Sequence, residues 1–151
     1  MDTVDHRAIA VQLFNSTWDL LEQPHRTVAD DDRMLHMAHA SRYHWGEVGQ
    51  TVNLERGEWQ VSRVYAVLRR AEPALHHARR ALTLCEEAGI ADFDIAYCYE
   101  AMARASAVAG DAEGCDLWLA RALQAAEHIR DPEDRDLLLR DLETVRLPFG
   151  A

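Results

Sequence analysis

Two stretches of equal length decide the fold of this chain: residues 63–86, RVYAVLRRAEPALHHARRALTLCE, and residues 104–127, RASAVAGDAEGCDLWLARALQAAE. A shift of 41 positions places the first on the second with nine identities. The identical pairs are Arg63/Arg104, Ala66/Ala107, Val67/Val108, Ala71/Ala112, Glu72/Glu113, Arg80/Arg121, Ala81/Ala122, Leu82/Leu123 and Glu86/Glu127. A repeat of this length is typical of stacked helix pairs, because one pair cannot bury its apolar faces alone.

The composition favours a single helical domain. The chain has 151 residues, 48% of them hydrophobic, with only 7 Gly and 4 Pro. We therefore predict an all-α fold of about seven helices, a right-handed stack of antiparallel hairpins in one domain over residues 1–151. The expected units are an N-terminal helix pair at 1–50, repeat-like hairpins at 51–89 and 92–130, and a capping helix at 132–146.

Periodicity and capping signals predict where the helices begin and end. Helices are expected at about 3–22, 28–45, 51–69, 72–88, 92–109 and 112–129, with the last one beginning at Pro132. Thr27 and Asp30 have the spacing of a capping box. Asp131 before Pro132 is a second helix-start signal. Gly57 falls inside the third helix, which predicts close approach of a neighbour.

The net charge of −10 is unevenly distributed. Residues 51–90 carry +1, whereas residues 91–151 carry −7. This distribution argues against nucleic acid or an anionic membrane as partner, because both need a basic face. No window of 18 apolar residues and no signal-peptide pattern is present, so we expect a cytoplasmic protein of bacterial origin. The three cysteines have neither disulfide nor zinc-knuckle spacing and are expected in the core.

The two hairpins resemble tetratricopeptide repeats. The residues that carry the resemblance are Ala103, the turn at 110–113, Cys115 and Ala122-Leu123 in the second hairpin, and Val61, Ser62, Tyr65, Ala74 and Ala81-Leu82 in the first. The 41-residue spacing exceeds the ~34 of that family. Armadillo and HEAT repeats, whose spacing brackets 41, are the alternative. The resemblance implies a curved stack with a concave face for a peptide, a partner protein or a small ligand.

One polar row on the third helix is the predicted partner-binding site. Asn53, Arg56, Gln60 and Arg63 recur every three or four residues. Arginine and amide side chains along a groove can clamp backbone carbonyls and carboxylates. The alternative is a plain solvated face.

Glu58 lies on the apolar stripe of the same helix. A buried carboxylate has to be paired or protonated, and Arg42 or His44 on the preceding helix is the expected partner. Contact with a ligand or simple exposure to solvent are the other two interpretations.

A third group places a carboxylate and two imidazoles on one helix face. Asp32, His36 and His39 are about one turn apart and would suit zinc or iron, with Glu58 or His77 as a fourth ligand. The alternative is a set of surface histidines and no cofactor. The basic run at 76–80, together with Arg69 and Arg70, is expected to pair with the acidic C-terminal third of the chain. Phosphate binding is the alternative.

The predicted function is that of a non-catalytic module that binds a protein or peptide, with self-association as a homodimer through an end of the stack. No nucleophile–base pair, phosphate loop or nucleotide fingerprint is present, so no catalytic residue is assigned. A helical metalloenzyme built on Asp32, His36 and His39, and a small-molecule sensor, are the alternatives.

Overall fold

The computed structural model describes residues 3–146, and these residues form seven α-helices and no β-strand. The helices are α1 (His6–Leu21), α2 (Val28–Val48), α3 (Thr51–Val67), α4 (Ala71–Ala88), α5 (Phe93–Val108), α6 (Ala112–Ala126) and α7 (Pro132–Glu143). The predicted all-α fold with seven helices is confirmed. None of the described helices combines the length and the hydrophobicity needed to cross a membrane.

Two helix starts follow the capping signals in the sequence. The Thr27 hydroxyl accepts from the Asp30 amide at 3.1 Å, and the Asp30 carboxylate accepts from the Thr27 amide at 3.0 Å. At α7, Asp131 accepts from the Glu133 amide at 2.8 Å while Pro132 occupies the first helical position. Each cap satisfies backbone N–H groups that the first helical turn leaves without a partner.

Three helix ends differ from the prediction for local reasons. α1 begins later, because the Asp5 carboxylate accepts from the Ala8 amide and caps the helix there. α2 continues through Gly46 to Val48, and Gly49 is the residue that caps its end. α3 ends at Val67, and Arg69 after it has a φ of 62°, a left-handed conformation that closes a helix.

The helices pack as a stack of hairpins in which the odd-numbered helices lie closer together than the even-numbered ones. Each helix from α1 to α6 contacts the next one in sequence, and α7 packs on α5 and α6. In addition α1 contacts α3, α3 contacts α5, and α5 contacts α7. Within residues 3–146, the backbones of the even-numbered helices α2, α4 and α6 do not come into contact with one another. The even-numbered helices therefore form a more open layer, and side chains bridge the space between them.

Small residues fill close contacts between helices in the core. Ala81 and Ala122, which the 41-residue shift pairs, are both fully buried. A Cβ atom added at Gly57 would lie 2.9 Å from Cδ of Arg42, so the predicted close approach at this glycine is confirmed. All three cysteines are free and buried. The main cluster spans α3 to α7, and a second cluster of Leu20, Met34, Ala38, Val61 and Val64 joins α1, α2 and α3.

Candidate functional site

Arg56 is the member of the predicted polar row that stays accessible. Its Nε and Nη2 atoms donate to the two carboxylate oxygens of Asp94 on α5, at 2.8 and 3.0 Å. This bidentate geometry is the strong form of an arginine–carboxylate pair. Half of the Arg56 side chain remains exposed, compared with 11% of Asp94. Arg56 therefore links α3 to α5 and still presents part of its guanidinium group to solvent.

The rest of the row is used inside the molecule. Gln60 is fully buried, and its amide nitrogen donates to the carbonyl oxygen of Phe14 at 2.9 Å. Arg63 donates to Glu100 at 2.9 Å and is largely buried. Asn53 accepts from the Gln50 amide at the start of α3. The expectation that Gln60 faces an open groove is wrong, because α1 covers it. A binding role for the row as a whole stays a prediction.

Arg63 belongs to a buried polar network that joins α3, α5 and the α7 region. Glu100, which accepts from Arg63, also accepts from Arg104 at 2.6 Å. Arg104 donates to the carbonyl oxygen of Asp141, and the Tyr97 hydroxyl donates to the Asp141 carboxylate at 2.8 Å. Burial and the neighbouring Asp141 carboxylate raise the pKa of Tyr97. These contacts hold α7 on the stack, which is a structural role.

Glu58 is paired, as predicted, and has two partners. Arg42 on α2 donates to one oxygen at 3.2 Å, and Nδ1 of His77 on α4 lies 2.6 Å from the other. Burial alone would raise the pKa of Glu58, but the hydrogen bond and charge of His77, together with Arg42, lower it below its usual value. His44, which the sequence also suggested as a partner of Glu58, has its Nδ1 atom 2.8 Å from Nδ1 of His6 on α1 instead. The Glu58–Arg42 interpretation is confirmed.

The predicted metal ligands on α2 are not brought together. Asp32, His36 and His39 are all exposed. His39 turns towards α3 and α4. Its Nε2 lies 2.8 Å from the hydroxyl oxygen of Tyr65 on α3, and its ring centroid lies 5.5 Å from that of His77 on α4. Partial burial, followed by the field of His77, lowers the pKa of His39. A metal at these three residues stays a prediction, and the structure assigns His39 to a hydrogen-bonded cluster.

Within the basic run, His77 pairs with Glu58, whereas the two arginines at its end have no such partner among the described residues. His76, Arg79 and Arg80 are exposed on α4, and no ion pair joins Arg79 or Arg80 to another residue in the described part of the chain. For Arg79 and Arg80 the expected pairing with the acidic C-terminal third is therefore wrong. Both cations are exposed on α4.

The unpaired cations border a shallow depression of about 680 Å³. Its lining, which we call the α4 surface, consists of Ala71, Glu72, Leu75, His76, Arg79, Arg80, Thr83 and Ala109. This lining combines small and aliphatic side chains with two guanidinium groups, one imidazole and the carboxylate of Glu72. Such a surface can accept an apolar side chain flanked by carboxylates.

One cluster of potential metal ligands was not predicted from the sequence. Within residues 3–146, the one set of three potential metal ligands whose donor atoms all lie within 4.8 Å of one another is Glu55, Cys85 and Cys98. The three residues come from three helices and have no motif spacing, so only the packing of α3, α4 and α5 reveals them. The sequence signal available was the presence of buried-type cysteines in two adjacent helices.

Comparison with family models, curated proteins and solved structures found no match to this chain. The resemblance to tetratricopeptide repeats therefore depends on the residues quoted above and on the hairpin packing. What the chain does has to be argued from its own surfaces.

Proposed function

We propose that this chain is a non-catalytic module that binds a protein segment or peptide, and that the α4 surface is the contact site. The occupant is an acidic segment with an apolar side chain. One observation carries the proposal: Arg79, Arg80 and His76 stand exposed beside small and aliphatic side chains, in a chain with a net charge of −10. Neither arginine forms an ion pair within residues 3–146.

The contrast with α3 supports this choice of surface. The guanidinium groups of Arg56 and Arg63 are already hydrogen-bonded to Asp94 and Glu100. A partner would have to replace those bonds, and leaving a buried carboxylate without its arginine is costly. Arg79 and Arg80 carry no such cost, because a partner's carboxylate would exchange only water.

The test measures the binding of a short fluorescein-labelled peptide of Asp and Glu residues around a central Leu, by fluorescence anisotropy. We expect saturable binding that weakens as salt rises, because exposed charges are screened beyond about 8 Å at physiological ionic strength. The same peptide with Asn and Gln in place of the acids should bind more weakly. Equal binding of both peptides at low salt would contradict the proposal.

Variants locate the surface. The double replacement Arg79→Ala/Arg80→Ala should weaken binding about threefold to tenfold, since each exposed ion pair contributes roughly 0.2–1 kcal/mol. Arg140→Ala, an exposed arginine on α7, is the matched control and should bind like the wild type. If Arg56→Ala weakens binding and the double replacement does not, the site is the α3 row.

A second copy of this chain could itself supply the acidic segment, because residues 91–151 carry a charge of −7. Light scattering at low salt distinguishes this case. A dimer that Arg79→Ala/Arg80→Ala dissociates would identify the partner as another copy. A monomer that still binds the acidic peptide would identify a different protein.

A further inference from the structure

A buried triad of potential ligands lies at the junction of three helices. Glu55 comes from α3, Cys85 from α4 and Cys98 from α5. The sulfur atoms of the two cysteines are 3.6 Å apart, and Sγ of Cys98 lies 3.2 Å from Oε1 of Glu55. Glu55 is 1% exposed, and both cysteines are fully buried. No single helix could place three such groups together, so the hairpin packing itself builds the site.

One atom of the triad lacks a partner. The second carboxylate oxygen of Glu55, Oε2, is buried without a hydrogen bond. Buried polar atoms in folded proteins nearly always have a partner, and each exception calls for an explanation. Three features thus coincide: two thiols in contact, a carboxyl group with a donor atom within 4.8 Å of both, and a buried carboxylate oxygen whose other charged neighbour is Asp94.

We propose that Glu55, Cys85 and Cys98 bind one divalent cation of the zinc class, with two thiolates and one carboxylate as ligands. Zinc accepts sulfur and oxygen donors in a tetrahedral shell, and thiolates select it over harder cations such as magnesium or calcium. Three protein ligands leave one of the four positions for water. This site is separate from the Asp32, His36 and His39 face and from the α4 surface.

Binding of the cation requires proton release. The carboxyl group and the two thiols each lose a proton, so the ligands gain three negative charges and the bound ion supplies two positive ones. The nearby charged groups are Asp94 on α5 and Arg56 on α3, which pair with each other. Zinc affinity should therefore fall steeply as the pH is lowered.

The test uses the full chain, refolded with zinc under thiol-reducing conditions and passed over a desalting column. Mass spectrometry of metal content is expected to find roughly one zinc per chain. Cobalt used in place of zinc should give the near-ultraviolet absorption of thiolate-to-cobalt charge transfer, which reports sulfur ligation directly. Protein that retains no zinc and shows no such absorption would overturn the proposal.

Variants separate this site from adventitious binding. Cys85→Ser and Cys98→Ser should lose the zinc, whereas Cys115→Ser should keep it, because Cys115 is a buried cysteine of α6 outside the triad. If the cysteine variants fail to fold, Glu55→Gln still tests the site. Glutamine imitates the protonated carboxyl group, so this variant should fold without metal and bind zinc far more weakly.

Two further results would contradict the site. Zinc retained at full stoichiometry by Glu55→Gln and by both cysteine variants would show that the metal binds elsewhere. Metal-free wild-type protein isolated with a disulfide between Cys85 and Cys98 would show that the thiols serve oxidation chemistry. A disulfide needs the sulfurs to approach from 3.6 Å to about 2 Å, and mass measurement after thiol alkylation detects it.

Discussion

Glu55 and Glu58 lie one turn apart on α3 and experience opposite environments. Glu58 meets Arg42 and His77, which lower its pKa despite burial. Burial, followed by the neighbouring Cys85 and Asp94, raises the pKa of Glu55 to about 9, although the hydrogen bond with Cys98 acts in the opposite direction. In the metal-free protein the same residue type on the same helix is therefore ionised in one place and protonated in the other. The neighbours differ: His77 of α4 and Arg42 of α2 approach Glu58, whereas Glu55 is more deeply buried beside Cys85 of α4 and Asp94 of α5.

The comparison predicts opposite pH dependences for the free energy of unfolding. Glu55 has a folded pKa above its unfolded value, so its contribution is complete below pH about 4.5 and is lost as the pH rises towards about 9. Glu58 has a folded pKa below its unfolded value. Its contribution is present above pH about 4.5 and is lost as the pH falls through the lower folded value.

The largest expected effect is that of Glu55→Gln on metal-free protein. At pH 7 the wild type must keep a proton that the unfolded chain has released, which costs on the order of 3 kcal/mol. The glutamine carries no such cost, so the variant should be more stable at pH 7 and less sensitive to pH between 5 and 9. Urea unfolding across that range measures both quantities. A variant less stable than the wild type at every pH would show that Glu55 is ionised in the fold.

Glu58→Ala should produce the next largest change, in the opposite direction. Removing the carboxylate leaves His77 and Arg42 without their partner, and we expect a loss of about 2 kcal/mol at pH 7. Thermal unfolding measured by circular dichroism tests this. The matched control is Glu47→Ala, an exposed glutamate of α2. Equal melting temperatures for the two variants would mean that the Glu58 pairing contributes nothing.

Gly57→Ala should change the environment of Glu58 and leave that of Glu55 unchanged. The added methyl group would displace the Arg42 side chain, which it meets at 2.9 Å, and thereby weaken the pair with Glu58. Because alanine also favours the helix, the net loss should be only about 1 kcal/mol. The pKa of Glu58 should move upward towards its ordinary value, as followed by NMR titration of the carboxyl carbon. A change at Glu55 of the same size would mean that α3 moves as a whole.

Tyr65→Phe should produce the smallest change in stability. It removes the hydroxyl that His39 meets at 2.8 Å but keeps the ring stacked on His77. Since His39 is exposed and water can replace the phenol, the expected loss is roughly 0.5 kcal/mol. NMR titration should show the pKa of His39 changing while that of Glu58 stays the same. A large loss of stability would assign a structural role to the imidazole cluster.

Predictions from the sequence were correct for features that depend on residues close together within one helix. The capping residues Thr27 and Asp131, the buried alanines and the close approach at Gly57 all depend on local geometry or on small size. The partner of Glu58 could be proposed as Arg42, since short loops make consecutive helices neighbours. The placement of Gln60 was mistaken, because its spacing matches the exposed Arg56 and only the position of α1 shows that it is covered.

The sequence by itself determined that the chain is helical, where most helices begin, and which small residues lie in its core. Those properties depend on periodicity, capping and size, all of which act within a few residues. Only the tertiary structure decided that Arg79 and Arg80 remain unpaired, that Glu55 meets Cys85 and Cys98, and that His39 turns to Tyr65. These relations join helices whose relative rotation is set by packing of the entire core, and no local pattern encodes that rotation.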